Sequence, residues 1–126
     1  SAAVADFKVL GKSDEKIKKT DELTIKLEKN IDILSFVSNH NSMRPKLVIG
    51  FAAETNNLER NAIKKLKNKN CDMIIANDVS NKSIGFGSDF NEVTIFYKND
   101  KKEKLSSKSK ILISEEIVER VNSQLT

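Results

Sequence analysis

The chain has 126 residues, enough for one buried core, with 38% hydrophobic and 32% charged residues, an ordinary balance for a folded domain that argues against disorder. Its net charge of +4 is almost all lysine, interleaved with 18 acids, and without clustered arginine and exposed aromatics this excludes nucleic acid as the expected partner. No apolar run is long enough to cross a bilayer, and a single cysteine, Cys71, leaves no disulfide framework, so a reducing cytoplasm is the expected compartment.

Ser1 to Phe7 opens on small apolar residues and reads as the end of a strand whose start lies outside the chain. Gly11 to Asp21 is polar apart from Ile17. Its segment Lys16-Ile17-Lys18-Lys19 is a cationic loop suited to closing over phosphates, because an ammonium is a compact charge on a flexible stem; by composition alone it is also a plain solvated loop. Glu22 to Lys29 alternates strictly, with Leu23, Ile25 and Leu27 on one side, which predicts a half-buried strand. Asn30 then offers an N-cap to a helix carrying Ile31, Ile33, Leu34 and Val37, ending at Asn39 to Ser42. His40, the sole histidine, is expected to be exposed, since it has no second histidine to pair with.

The centre of the chain is a βαβ pattern. Lys46-Leu47-Val48-Ile49 and Met73-Ile74-Ile75 are short continuous apolar runs, as in strands covered on both faces, and roughly 20 residues of helical pattern separate them. The helix is expected from about Asn57 to Lys69, with Leu58, Ala62 and Leu66 as its buried stripe, Glu59 early, and Lys64, Lys65, Lys67 and Lys69 late, as the helix dipole favours. The strands end in Gly50-Phe51-Ala52-Ala53-Glu54-Thr55 and Ala76-Asn77-Asp78-Val79-Ser80, at the end of the unit where ligands collect. Cys71 reads as a small core residue. Glu92 to Tyr97 and Glu103 to Ser107 predict a hairpin around Lys98 to Lys102. Ser109 predicts the cap of a last helix with Ile111, Leu112, Ile113, Ile117, Val118, Val121 and Leu125 as its apolar positions. The fold class is therefore α/β: a single domain over residues 1–126, a three-layer Rossmann-like parallel sheet fragment. The strands near Val4, at Lys46 to Ile49 and at Asp72 to Ile75 are parallel in this reading, with an added antiparallel arm. Because a lone hairpin is marginal in water, the arm from Glu92 to Ser107, and with it the strand Leu23 to Leu27, is expected to form a homodimer.

Six blocks in this order, Ala2-Ala3-Val4-Ala5-Asp6-Phe7, Lys16-Ile17-Lys18-Lys19, Asp21-Glu22-Leu23-Thr24, Gly50 to Thr55, Ala76 to Ser80 and Gly85-Phe86-Gly87-Ser88-Asp89, make the whole chain resemble the C-terminal part of the phosphopantothenoylcysteine synthetase family of coenzyme A biosynthesis. The resemblance implies a CTP-dependent ligase. It activates the carboxylate of 4′-phosphopantothenate as an acyl-cytidylate, with Mg2+ carried by the triphosphate, and L-cysteine displaces CMP. It implies a catalytic Lys16 in a flap over the nucleotide, and nucleotide-binding roles for Ala2, Asp6, Lys16, Ile31, Asp32, Ile33, Leu34, Phe51, Lys65 and Lys69, with no protein metal ligands. Two features depart from the family: Ile31 stands where its turn has proline, and Thr20 alone separates the flap from Asp21. The family's N-terminal half, with its glycine-rich loop and the asparagine that holds the acyl-cytidylate, has no counterpart in these residues. The chain is thus expected to be an incomplete catalytic unit whose partners are that half and, upstream, a flavin-dependent decarboxylase. The alternative from the residues alone is a nucleotide- or anion-binding or dimerisation module without catalysis.

Overall fold

The structure is a computed structural model that describes residues 4–11, 13–18, 22–80 and 87–126. Ala2, Lys19, Asp21 and the Gly85-Phe86 part of the glycine motif lie outside the described residues. The chain falls into two compact units, residues 1–33 and 34–126.

The smaller unit is built on a short antiparallel pair, β1 (Phe7–Val9) with β2 (Leu27–Lys29), in which Phe7 faces Lys29 and Val9 faces Leu27. The stretch near Val4 is therefore not a third parallel strand. Its irregular chain leads into β1, whose partner runs antiparallel. The predicted strand from Glu22 shrinks to β2, because β1 offers only three residues to pair with. Leu23 and Ile25 precede it at 64% and 60% exposure, so the alternation marks a face left open among the described residues. Asn30 is not a helix cap: its Nδ2 donates to the Ala5 carbonyl at 2.7 Å and its backbone N–H to the Asp6 carbonyl at 2.9 Å, closing the hairpin. The helix begins later, as α1 (Ile33–Ser38).

The larger unit holds a four-stranded sheet in the order β3 (Ile49–Glu54), β4 (Met73–Asp78), β5 (Phe90–Tyr97) and β6 (Lys102–Ser109). β3 and β4 are parallel and the other two pairs antiparallel. α2 (Leu58–Asn68) lies on one face and α3 (Lys110–Leu125) on the other, giving the predicted three layers. On the α2 side Ala62 and Leu66 pack with Val48, Ala52, Ile74, Ala76 and Phe96, and Leu34 and Leu58 close the cluster. On the α3 side Ile113 and Ile117 cover Met73, Ile75, Val93, Ile95, Tyr97 and Leu105. β4 contributes to both clusters, as its unbroken apolar run foretold. Cys71 is fully buried in the α2-side cluster.

β3 begins at Ile49, later than the apolar run suggested. Leu47 and Val48 only approach the sheet, and the Val48 N–H is taken by the Asp72 carboxylate at 2.7 Å. The strand then runs through the small residues of Gly50 to Ala53, each in register with β4. At Gly50 a Cβ would fall 2.6 Å from Ile74 Cδ1 and 2.7 Å from Leu34 Cδ2, so glycine is what lets α1 and β4 meet there. Arg44 clamps the opposite end of the sheet: Nη2 reaches Asp72 Oδ2 at 2.9 Å and Nε the Ser38 carbonyl at 2.8 Å. His40 is half-buried rather than exposed, accepting from the Met43 N–H at Nδ1 (3.1 Å) and meeting Phe36 edge to face.

The hairpin β5–β6 is longer than predicted and does not stand alone. β4 pairs with one side of it and α3 covers one face. Ser109 caps α3 as expected, its hydroxyl accepting from the Leu112 N–H. Of the apolar positions of α3 only Ile113 is fully buried; Ile111, Leu112, Val118 and Leu125 remain at least half exposed. The α3 layer is pinned instead by ions. Arg120 donates Nη2 and Nε to Glu103 Oε1 at 2.6 and 3.1 Å, and Glu103 Oε2 accepts from the Tyr97 hydroxyl at 3.2 Å. The Arg120 hydrogen bond holds the Glu103 carboxyl below its ordinary range, and burial pushes the Tyr97 hydroxyl up.

Candidate functional site

In a parallel βαβ unit the backbone amides at the helix start and the strand C-termini converge, so a ligand site is expected where β3 ends and α2 begins. An open groove of about 420 Å3 lies along α2 beside this end, lined by Ala53, Glu54, Asn61, Lys64, Lys65, Asn68 and Lys69. Asn61, Lys65 and Lys69 recur every four residues, which puts them on one face of the helix. Lys64 and Asn68 form the neighbouring row.

Glu54 organises the groove. Its Oε1 lies 2.9 Å from Lys65 Nζ, and its Oε2 accepts from Asn61 Nδ2 at 2.9 Å. The Lys65 hydrogen bond, helped by Asn61, holds the Glu54 carboxyl below its ordinary range, so it stays ionised at neutral pH and fixes the ammonium on the groove wall. Past Glu54 the chain is tied down, because the Val79 N–H donates to the Glu54 carbonyl at 3.0 Å, joining the ends of β3 and β4. Beyond it the Asp78 carboxylate accepts from the Ser80 hydroxyl at 2.6 Å and N–H at 2.9 Å, which lowers its pKa.

Of the residues singled out from the sequence, Lys65 and Lys69 meet in this groove. Phe51 is on β3 but does not line it; at 64% exposure its ring stands on the opposite face of the strand from Gly50 and Ala52. Leu34 is partly buried against the α2-side cluster. Asp6, Lys16, Ile31, Asp32 and Ile33 belong to the smaller unit and are all exposed there, and Ala2 lies outside the described residues. Within that unit the bonds from Asn30 to Ala5 and Asp6 bring Asp6 beside the turn at Ile31. Lys16 follows a local turn in which the Ser13 hydroxyl donates to the Glu15 carbonyl at 2.9 Å. Sequence reasoning missed Ala53, Glu54, Asn61, Lys64 and Asn68 as groove residues. The signal was available in the four-residue polar stripe of α2, which the helix dipole had explained away. Among the described residues no three His, Cys, Asp or Glu side chains gather as metal ligands, and no helix is long and apolar enough to cross a membrane.

The family described as DNA/pantothenate metabolism flavoprotein C-terminal domain matches residues 1–125. The chain belongs to this family. Among the relatives of this flavoprotein C-terminal domain, the coenzyme A biosynthesis bifunctional protein CoaBC of Haemophilus influenzae is 47% identical over 121 residues, covering 95% of the chain and 30% of the relative. CoaBC of Bacillus subtilis is 43% identical over 122 residues, covering 96% and 30%. The resemblance carried by the six sequence blocks is thus borne out, and the chain spans about 30% of the length of these relatives. In three dimensions it is similar to the crystal structure of the C-terminal domain of CoaBC, with a TM-score of 0.65 and 36% identity over 80% of this chain and 45% of that one. A DNA/pantothenate metabolism flavoprotein from Streptococcus pneumoniae gives a TM-score of 0.64 at 28% identity, over 86% of this chain and 45% of that one. The mixed parallel and antiparallel sheet is the fold of these domains.

Proposed function

We propose that this chain is the C-terminal portion of a CTP-dependent ligase that joins 4′-phosphopantothenate to L-cysteine in coenzyme A biosynthesis, acting as a cytoplasmic homodimer. The observation that carries the reading is the convergence of Lys64, Lys65 and Lys69 on one groove at the C-terminal end of a parallel strand, in a chain whose relatives are CoaBC proteins. A triphosphate needs fixed cations where its charge sits, and the Glu54 bridge holds Lys65 in place before any ligand arrives. In the reaction the substrate carboxylate attacks the α-phosphorus of CTP and diphosphate leaves. The cysteine amine then attacks the acyl carbon and CMP leaves. The divalent cation enters as part of the triphosphate substrate.

In this reading Lys65 and Lys69 bind phosphate oxygens, Phe51 lies beside the nucleotide, and Asp6 with the turn Ile31-Asp32-Ile33-Leu34 and Ala2 contacts the nucleoside. Lys16 closes over the phosphates from its exposed loop and neutralises charge that builds in the transition state. Fixing that loop costs roughly 1–2 kcal/mol per residue of backbone, which charge-assisted hydrogen bonds of about 1.5–3 kcal/mol each offset. The test is CTP-dependent ligation by the full-length protein that carries this chain. Lys16→Gln is expected to slow turnover far more than Lys18→Gln with the fold intact, and Lys65→Gln to raise the KM for CTP. Equal, mild effects at Lys16 and Lys18 would reduce the flap to a loop. CTP binding with no ligation by the full-length protein would favour a nucleotide-binding module without catalysis.

A further inference from the structure

Glu54 is an odd residue to find in a groove meant for phosphates. Among the described residues that line the groove it alone is acidic, beside Lys64, Lys65 and Lys69, and its side chain is only 13% exposed, so little water screens its charge from an entering anion. Counted as charge alone, it repels a polyphosphate. A carboxylate kept in such a place is either a plug that the anion pushes off Lys65 or a fixed support that aims Lys65 at the anion.

The bonds of Asn61 decide between the two. Asn61 sits four residues before Lys65 on the same face of α2, and its Nδ2 donates both to Glu54 Oε2 at 2.9 Å and to the Asn56 carbonyl at 3.2 Å. Glu54 Oε1 serves Lys65 Nζ at 2.9 Å. The carboxylate is therefore anchored at its far oxygen to α2 and to the loop that leads into it, while the Glu54 backbone carbonyl is held by the Val79 N–H. A plug needs freedom to swing away, and this side chain is tied at both ends. Nor does the bridge have to open, because the Lys65 ammonium has three hydrogens and the bridge uses one, which leaves two for phosphate oxygens. A lysine–glutamate pair serves phosphates in this way in protein kinases. We infer that Glu54 and Asn61 are positioning residues that act on the bound triphosphate through Lys65, Asn61 fixing the carboxylate and the carboxylate fixing the ammonium. This rests on the nucleotide reading of the groove and adds to it the two residues that make one of its lysines effective.

The experiment is a double-mutant cycle on CTP binding, read by calorimetry on the full-length protein, with Glu54→Gln and Asn61→Ala each made alone and in a Lys65→Gln background. Glutamine keeps the shape of the side chain, but its single oxygen can serve only one of the two donors that the carboxylate now serves. Glu54→Gln is expected to weaken CTP binding by about 3- to 10-fold although it makes the groove more positive, and Asn61→Ala to weaken it by about 2- to 5-fold. In the Lys65→Gln background both changes are expected to lose their effect. In turnover the loss should appear in the KM for CTP and leave the KM for L-cysteine unchanged, which a loosened fold would not do. Tighter CTP binding by Glu54→Gln overturns the inference and makes the carboxylate a mere repelling charge. Losses of the same size with and without Lys65 also overturn it, as does a Lys65→Gln variant that binds CTP like the parent, and both results leave the ligase reading standing. A parent that binds no CTP overturns both. Should Glu54→Gln not fold, Asn61→Ala, in a helix that alanine suits, carries the same comparison.

Discussion

The two units of this chain treat their apolar residues in opposite ways. In residues 34–126 the sheet is covered on both faces, and Met73, Ile75 and Ile95 are all but sealed from solvent. In residues 1–33 Phe7, Val9, Leu23, Ile25 and Leu27 each keep more than half their surface exposed. The larger unit thus carries the stability, whereas the smaller presents Asp6, Lys16 and the Ile31 turn on a hairpin held by a few backbone bonds. The difference is one of packing: the larger unit fixes Lys65 on a covered sheet through its Glu54 bridge, and the smaller leaves Lys16 exposed.

The comparison breaks most sharply at the core. Ile75→Ala is expected to destabilise the chain by about 2–5 kcal/mol in urea unfolding, whereas Leu23→Ala should change it by less than about 0.5 kcal/mol. Equal costs at the two positions would show that the smaller unit is as well packed as the larger. Next in size is Arg44→Ala, which strips Asp72 of its cation and removes the guanidinium's bonds to the Ser38 and Asn70 carbonyls. It should cost about 1–3 kcal/mol. A change below half of that in the same unfolding measurement would show that the clamp is dispensable.

Much of this contrast was legible beforehand and some was not. α2 followed from Leu58, Ala62 and Leu66, because a stripe at helical spacing needs only local chain geometry and one covering surface. β3 was misplaced towards Leu47 and Val48, because the ladder with β4 and the clash at Gly50 decide its limits, and both lie far away in sequence. The strand at Leu23 failed for a related reason: alternation shows which residues share a face, but the length of a strand depends on its partner. At the site, Lys65 and Lys69 could be named from the resemblance, yet Glu54 and Asn61 emerge only when the strand end meets the helix.

A smaller effect sharpens the role of ions in the larger unit. Because the folded-state pKa of Glu103 is lowered from an ordinary 4.5, its stabilisation is fully present above that pH and is lost as pH falls through the folded value. Glu103→Gln should therefore lower stability by about 1 kcal/mol at neutral pH and flatten the acid limb of the stability curve below pH 4.5. An acid limb of unchanged slope would assign it to other carboxylates, Glu54 first. The least effect is expected at the exposed Lys8–Glu28 pair of the hairpin, 3.4 Å apart, where Lys8→Ala should cost no more than about 0.5 kcal/mol, a cost that fades with added salt. A larger loss would mean that the hairpin leans on its charges.

Cys71 gives the molecule a built-in clock. It is the sole thiol of the chain and is sealed beneath α2, so an alkylating reagent can reach it only when that layer lifts from the sheet. The rate of labelling in native buffer therefore times the opening of the βαβ unit by itself, whatever the hairpin is doing. If the lysine groove binds as described, saturating nucleotide will slow that clock in proportion to the occupancy of the groove.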